Sequence, residues 1–342
     1  MRQLILLFKK DRTHLYSRVL PAILTMLVLC FWSFAGCGNT PTPQTKPQGN
    51  TAVPAIPDPI NKGAGVEPEL LVYMADKGTV QSMPIEQYLQ GVVAGEMAPD
   101  WPENALAAQA ILARSFTLQK IAEKNKLANR NAHASTDEKE FQAYDASKIN
   151  DRIKKAVELS RGKVLIYNGN YIRAWFHAYS GGKTATAQEG LGFTEAPTPY
   201  IQPIDDSAFD QAIPADVRTW TASFPLAKVQ TAVKQVNGKD PGTVTSITIV
   251  NKSESGRATT LKVNNTEVDG NKLRMSLDSK TLKSTMISDI KIAGEKAVFS
   301  GKGYGHGVGM SQWGARVMAD QGKDPEQIAL YYFRNCKIAK LW

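Results

Sequence analysis

Glu96 is the residue of this 342-residue chain whose position most directly suggests chemistry. It follows the run "MPIEQYLQGVVAG", whose spacing predicts a helix with Leu89, Val92 and Val93 on the same face as Glu96. Pro99 then ends the helix shortly after Glu96. The sequence therefore predicts a carboxylate on the buried face of a helix, close to its C-terminal end.

These surroundings are expected to raise the pKa of Glu96. Burial disfavours the ionised form of a carboxyl group, and the free carbonyls at a helix end repel an anion. A carboxyl that is protonated at neutral pH is what a general acid in glycoside cleavage must be. The alternative is a structural glutamate that caps the helix or pairs with Arg114. Arg114 is in turn interpreted either as that counter-ion or as the group that holds a substrate carboxylate with its planar fork.

A second candidate site is the glycine-rich stretch "GYGHGVGMSQWG", residues 303–314, directly before a predicted helix. Alternating glycines indicate either a close approach to the backbone or positive φ angles, and backbone N–H groups at a helix start can hold an anion or a polar sugar. The spacing excludes a P-loop and a dinucleotide fingerprint. His306 is expected to be exposed in this loop and, with His177, Ser180 and Glu96, forms a plausible constellation.

The elements that must position these residues indicate an α+β fold, in which helices and β-hairpins surround a substrate cleft. The run "WPENALAAQAILARSFTLQKIAEK" (101–124) predicts an alanine-rich helix, and Asn168-Gly169 predicts a type I′ hairpin turn. The strand after that turn is expected to place His177 on an aromatic face, which is either a sugar-binding wall or a face covered by a helix. Residues 205–300 alternate Thr-rich strands with a short helix and contain no obvious chemistry.

The first 37 residues predict a membrane-associated segment. Five Lys/Arg and one Asp are followed by an uncharged apolar run that ends at Cys37, so the segment is either a lipoprotein signal with Cys37 as the lipidated residue or an uncleaved membrane span. Both alternatives place the remaining chain on the extracytoplasmic face of the cell membrane. Residues 38–65 are Pro-rich and predict a linker that ends at a domain spanning 66–342.

Composition narrows the partners that we expect. The formal net charge is +9, and after residues 1–36 are removed 36 Lys/Arg stand against 31 Asp/Glu. This basic excess favours an anionic polymer such as cell-wall glycan, or simply a basic surface without a specific partner. No metal site, cofactor or nucleic-acid partner is predicted, since His133, His177 and His306 are far apart and no dense basic patch occurs.

Taken together, the motifs resemble the SpoIID/LytB family of bacterial sporulation and cell-wall proteins. The resemblance rests on "PIEQYLQGVVAGEM", "ALAAQAILARSF", "FQAY", "YSGGKTATAQE", "GYGHGVGMSQWGA" and "ALYYF", in this order over residues 66–342. It implies a lytic transglycosylase that acts on peptide-stripped glycan strands of peptidoglycan, beside an amidase in the engulfment step of sporulation. Glu96 takes the position of the family's catalytic glutamate. The resemblance implies these substrate-site residues: Arg114, Gln142, Tyr144, His177, Ser180 and His306. The zinc ligands of some members are not carried over, because only His133 remains near "QAY".

One acid suffices for that reaction, whereas a glycoside hydrolase normally needs a second carboxylate. The C6 hydroxyl of the muramic acid attacks its own C1, which gives a 1,6-anhydro product. The main alternative is a glycan-binding module that activates a cell-wall amidase without cleaving glycan, as the amidase-enhancer members suggest. A purely structural tether between membrane and wall is a third reading.

Overall fold

The computed structural model describes residues 52–127 and 129–342. The helices are α1 (Ile85–Glu96), α2 (Glu103–Lys124), α3 (Asp151–Leu159), α4 (Ala187–Leu191), α5 (Ala215–Arg218), α6 (Leu226–Asn237), α7 (Gly270–Leu277), α8 (Gln312–Asp320) and α9 (Pro325–Tyr332). The strands are β1 (Glu69–Met74), β2 (Thr79–Pro84), β3 (Ala134–Ser135), β4 (Lys163–Tyr167), β5 (Asn170–Tyr171), β6 (Phe176–His177), β7 (Thr219–Pro225), β8 (Ile247–Lys252), β9 (Ala258–Val263), β10 (Thr266–Asp269), β11 (Ile287–Ala293), β12 (Lys296–Lys302), β13 (Met310–Ser311) and β14 (Lys337–Lys340). Helices and several small sheets together confirm the α+β class.

The main body is built around α2, which is buried along most of its length. Its alanines present little bulk, so α1, α3, α8, α9 and β4 all pack directly against it. Pro102 precedes the helix, and Asn125, with a φ of 61°, ends it. The predicted helix over 101–124 is therefore confirmed, and its near-complete burial fixes where α1 and α8 stand relative to each other.

The hairpin turn was predicted correctly, but the strand after it was not. Asn168 and Gly169 both have positive φ, as a type I′ turn requires. The second strand, however, ends at Tyr171, and the chain then leaves β4. Its next pairing is β6 with β13, in parallel, where Phe176 faces Met310 and His177 faces Ser311. This non-local pairing brings the glycine-rich stretch beside the segment that carries His177.

A second hydrophobic core forms within residues 219–302. It lies among the sheet β11-β12-β7, the sheet β10-β9-β8 and the helices α6 and α7. We call this segment the insertion. It begins and ends at the main body, where the Gly303 amide donates a hydrogen bond to the Arg218 carbonyl at 3.2 Å.

The predicted membrane segment, Cys37 and the linker as far as residue 51 lie outside the described residues. Within 52–127 and 129–342, no helix combines the length and the apolar character that crossing a membrane requires.

Candidate functional site

Glu96 is the last residue of α1, and its carboxyl is half-buried. The backbone amide of Ala143 donates to its Oε1 at 2.9 Å, and the side chain of Gln312 lies within hydrogen-bonding reach. Burial is the largest influence and raises the pKa of Glu96 from 4.5 to about 7, with the nearby charge of Glu138 acting in the same direction. The two hydrogen bonds oppose this shift without cancelling it. Glu96 therefore has the protonation behaviour of a general acid near neutral pH.

The segment Ala143–Tyr144, whose Ala143 amide donates to Glu96, packs against two glycines of α1. A Cβ at Gly91 would lie 2.0 Å from the ring of Tyr144, and one at Gly95 would lie 2.7 Å from the Tyr144 nitrogen. The Asp145 amide also donates to the Gly91 carbonyl at 2.9 Å. In the sequence, this contact is marked by two glycines four residues apart, which lie on one face of the helix.

The Tyr144 ring forms one wall of a groove that extends to Glu96. Its ring stacks on Tyr88, with the centroids 5.9 Å apart and the planes at 15°. Two adjoining cavities of about 390 and 430 Å³ share the residues Ala75, Thr136, Tyr144 and Asp145. The first also reaches Gly95 and Ala143, the residues next to and bonded to Glu96. The Tyr144 position expected from the resemblance thus lies beside Glu96 in an accessible groove.

The insertion contributes to this groove as well. Lys280 lies 2.6 Å from the carboxylate of Glu138, which lines the first cavity. Residues 205–300, for which the sequence predicted no chemistry, therefore approach the groove wall with at least one charged side chain.

Gln142 lies beneath the site and not in the groove. Its side chain is buried and its Nε2 donates to the Thr117 hydroxyl at 3.1 Å. It also lies within hydrogen-bonding reach of the hydroxyl of Tyr88, the ring on which Tyr144 stacks. The placement makes Gln142 a support for the groove wall.

Arg114 does not reach the acid or the groove, contrary to its expected substrate-binding role. Its side chain is fully buried and forms a two-pronged ion pair with Glu86, at 3.0 and 2.5 Å. A third nitrogen donates to the Lys163 carbonyl at 2.8 Å. Glu86 lies ten residues before Glu96, about 15 Å along a helix axis. The counter-ion expected for Glu96 is therefore the counter-ion of a different glutamate on the same helix.

The glycine-rich stretch follows the predicted backbone pattern. Gly303, Gly305, Gly307 and Gly309 all have positive φ. A Cβ at Gly307 would lie 1.9 Å from the guanidinium of Arg257, so this loop has both positive φ angles and a close approach. The group that approaches is a buried arginine from the insertion.

His306 and His177 lie side by side, with ring centroids 5.7 Å apart. His306 is half-buried, not fully exposed as expected, and its Nδ1 accepts the Val308 amide at 3.0 Å. His177 is buried, and its Nδ1 lies 3.2 Å from the Val308 carbonyl. Burial lowers the pKa of both rings, that of His306 to about 3, and the charge of Arg257 acts in the same direction on each. Both imidazoles are therefore neutral at physiological pH.

Ser180 is part of the buried framework under this loop. Its hydroxyl donates to Asp206 at 2.5 Å and accepts from the Gly182 amide at 3.0 Å. Its carbonyl accepts from Arg257 at 2.8 Å. Burial raises the pKa of Asp206 to about 6. With these bonds made and no exposed surface, Ser180 supports the loop and is not a surface contact for a substrate.

The residues that connect the two candidate sites are Ser311 and Gln312, which the sequence had not singled out. Ser311 pairs with His177 in the β6–β13 bridge, and Gln312 reaches Glu96. The Gln312 Nε2 also lies 3.4 Å from Oε1 of the fully buried Gln109. The structure thus brings Glu96 and the glycine-rich loop together through the last residue of β13 and the first residue of α8.

Two tryptophans flank this junction. Trp101, five residues after Glu96, packs edge-on against Trp313 with centroids 4.8 Å apart. The guanidinium of Arg316 covers both rings, at 5.4 and 5.0 Å from their centroids. Trp313 belongs to the motif "SQWG", but the sequence does not show that it packs against Trp101.

The described residues offer no cluster of three or more His, Cys, Asp or Glu side chains that could hold a metal ion. The Nδ1 of His133 instead accepts the Leu71 amide at 3.0 Å, which ties β1 to the chain before β3.

Comparisons with known proteins place these features in a family context. Residues 73–167 match the SpoIID family, described as stage II sporulation protein, and residues 204–309 match a domain of unknown function, DUF8618. An uncharacterised protein of Brachyspira hyodysenteriae is 31% identical over 76% of this chain and 67% of its own length. Stage II sporulation protein D of Bacillus amyloliquefaciens is 30% identical over 82% of this chain and 83% of its own length. The amidase enhancer of Bacillus subtilis is 28% identical over 72% of this chain, which spans 39% of that relative.

Proposed function

The chain belongs to the SpoIID family of stage II sporulation proteins, and from this premise we propose that it is a lytic transglycosylase of peptidoglycan with Glu96 as its acid. Its substrate is a glycan strand whose stem peptides have been removed. The observation that carries the proposal is the half-buried carboxyl at the end of α1, with a pKa near 7, at the edge of an open groove.

In this mechanism Glu96 acts twice. It first donates its proton to the oxygen of the bond between N-acetylmuramic acid and N-acetylglucosamine, and the bond from C1 to that oxygen breaks. The C6 hydroxyl of the same muramic acid then bonds to C1, and its proton passes to the Glu96 carboxylate. The products are a 1,6-anhydro end and a free 4-hydroxyl end, and the acid is restored.

The surroundings of Glu96 favour this route over hydrolysis. A hydrolase needs a second carboxylate as base or nucleophile. Glu138 is near enough to raise the pKa of Glu96, but it pairs with Lys280 and about half of its side chain is exposed. An attacking group supplied by the substrate itself removes the need for that second carboxylate.

The test is digestion of peptide-stripped glycan, followed by mass spectrometry of the new ends. Wild-type protein should produce 1,6-anhydro ends, and Glu96→Gln should lower their rate of formation by about 10²- to 10⁴-fold, the usual worth of a general acid. Glu295→Gln is the matched control, because Glu295 is exposed in the insertion. Undiminished product formation by Glu96→Gln would remove Glu96 from the mechanism.

A second candidate function is activation of a cell-wall amidase, which the name of the amidase enhancer of Bacillus subtilis favours. In that case the protein would bind glycan and stimulate the amidase without forming anhydro ends. Assaying an amidase with wild type and Glu96→Gln separates the two: stimulation that survives in the variant supports activation, and stimulation that is lost with the anhydro ends supports cleavage.

We also propose that the protein acts at the extracytoplasmic face of the cell membrane during sporulation, tethered by its N-terminal segment. The support is the charge and hydropathy pattern of residues 1–37. Metabolic labelling with a fatty acid distinguishes the two tethers, since Cys37→Ala should abolish labelling only if Cys37 is lipidated.

A further inference from the structure

Arg316 presents an unusual arrangement beside the acid. Its guanidinium lies over Trp101 and Trp313, and 38% of its side chain is exposed. A guanidinium whose face rests on aromatic rings keeps its N–H donors in the plane, pointing away from the rings. Among residues 52–127 and 129–342, its one ion-pair partner is the exposed Asp320 at 3.9 Å, beyond hydrogen-bond distance. Within the described residues, these donors have no hydrogen-bond acceptor.

The helix places this guanidinium close to the reaction centre. Arg316 follows Gln312 by four residues on α8, so the two side chains occupy one face, one turn apart. Gln312 is the residue that reaches Glu96. A carboxylate bound by Arg316 would therefore lie roughly 6 Å along the helix from the contact with the acid.

The groove on the Ala143 side of Glu96 has the opposite electrostatic character. It is lined by Asp76, Asp137, Glu138 and Asp145 against two lysines, Lys77 and Lys148. Lys148 is paired with Asp145 at 2.9 Å, and Lys280 of the insertion is paired with Glu138. An anionic sugar is repelled here, whereas a neutral N-acetyl sugar can stack near Tyr144 and use the polar side chains as hydrogen-bond partners.

We infer that Arg316, supported by Trp101 and Trp313, binds the carboxylate of the acidic sugar at the cleaved bond, and that the Tyr144 groove holds the neutral sugar on the other side. This inference rests on the proposed function and adds the polarity of the bound strand. In a peptide-stripped strand, each N-acetylmuramic acid carries a free lactyl carboxylate and each N-acetylglucosamine carries none. The planar fork of Arg316 matches that carboxylate in two parallel hydrogen bonds.

The experiment measures binding of soluble glycan fragments to the full chain in the Glu96→Gln background, which prevents turnover. Two probes are compared: peptide-stripped fragments with free carboxylates, and the same fragments with those carboxylates converted to neutral methylamides. Arg316→Met should weaken binding of the first probe by about tenfold to a hundredfold, the effect of losing a charge-assisted pair, and leave the second unchanged. Arg316→Lys, which keeps the charge but not the fork, should fall between wild type and Arg316→Met.

The control is Arg334→Met, which removes the same charge from an exposed arginine that stacks on no aromatic ring of the described residues. It should change the affinity of neither probe, and unfolding midpoints of all variants verify that they are folded. Equal affinities of wild type and Arg316→Met for the free-carboxylate probe, or an equal loss for both probes, overturn the inference.

The outcomes also separate this inference from the proposed function. Anhydro ends formed by wild type, together with no selective effect of Arg316→Met, reject the subsite but leave the enzyme. Selective binding through Arg316 without any anhydro ends rejects the enzyme but leaves the subsite. Binding of neither probe by the parent protein rejects both.

Discussion

Replacing Glu96 by glutamine should stabilise the folded protein above neutral pH, because the wild-type protein holds an ionised carboxylate in a poorly hydrated place. The pKa of Glu96 is raised from 4.5 to about 7. Below pH 4.5 the group is protonated in both the folded and the unfolded chain. Between pH 4.5 and 7 the unfolded chain loses this proton and the folded protein keeps it, so the free energy of unfolding falls as pH rises.

The size of the decrease in the free energy of unfolding follows from the pKa shift of Glu96. A difference of about 2.5 pH units corresponds to about 3 kcal/mol. Glutamine has the same shape and cannot ionise, and its side-chain oxygen can still accept the Ala143 amide. The difference in free energy of unfolding between Glu96→Gln and wild type should therefore grow from near zero at pH 4 to about 3 kcal/mol in favour of the variant at pH 8.

Urea unfolding from pH 4 to pH 9 measures this difference directly. Subtracting the wild-type curve removes the contributions of other shifted groups, such as Asp206, because both proteins share them. Glu295→Gln, in an exposed position, should show no comparable rise. A difference for Glu96→Gln that is flat with pH would show that its carboxylate is well hydrated, and the physical basis for a neutral-pH acid would be gone.

Three further predictions concern the supports of the site. Arg114→Met should lower the free energy of unfolding by about 3–5 kcal/mol, since it leaves Glu86 buried without its partner; wild-type stability with loss of glycan cleavage would instead return Arg114 to a substrate role. Gly91→Ala should displace the Tyr144 ring and lower glycan cleavage with a cost of about 1–3 kcal/mol in stability, while far-UV circular dichroism stays unchanged; unchanged cleavage would show that the groove wall is dispensable. His306 has a pKa of about 3, so its imidazole NMR signals should not titrate between pH 5 and 8; a midpoint near 6.5 would contradict the buried setting beside Arg257.

The elements of this fold that depend on local sequence were predictable. Proline and alanine content located α1 and α2, and Asn168-Gly169 fixed the turn after β4, because each of these effects acts within a few residues. The path after Tyr171 was not predictable, since its partner strand β13 lies far along the chain. Alternation along one strand predicts which residues share a face, but not where the pairing stops.

The site was predictable to the same extent. The position of Glu96 on an apolar face indicated a raised pKa, and the structure agrees because the cause, burial on a helix, can be read from spacing. The partner of Arg114 was not predictable, because α1 carries two glutamates and only packing decides which one meets α2. Gln312 and Arg257 were missed for a related reason: each reaches the site from an element whose position depends on contacts distant in sequence.

The way in which the insertion joins the main body has a consequence for how such proteins diversify. Its two ends lie side by side, because Lys302 of β12 pairs with Thr219 of β7 and the Gly303 amide donates to the Arg218 carbonyl, and it carries its own apolar interior. A segment of this kind can be replaced by another between homologues, and the path of the main-body chain stays the same. What the exchange alters is the set of side chains that reach the main body, among them Arg257 behind the glycine-rich loop, Lys280 at the rim of the groove and Asn271, which donates to the Glu189 carbonyl. Sequence changes in the insertion can thus alter the surroundings of the site while α1 and Glu96 stay unchanged.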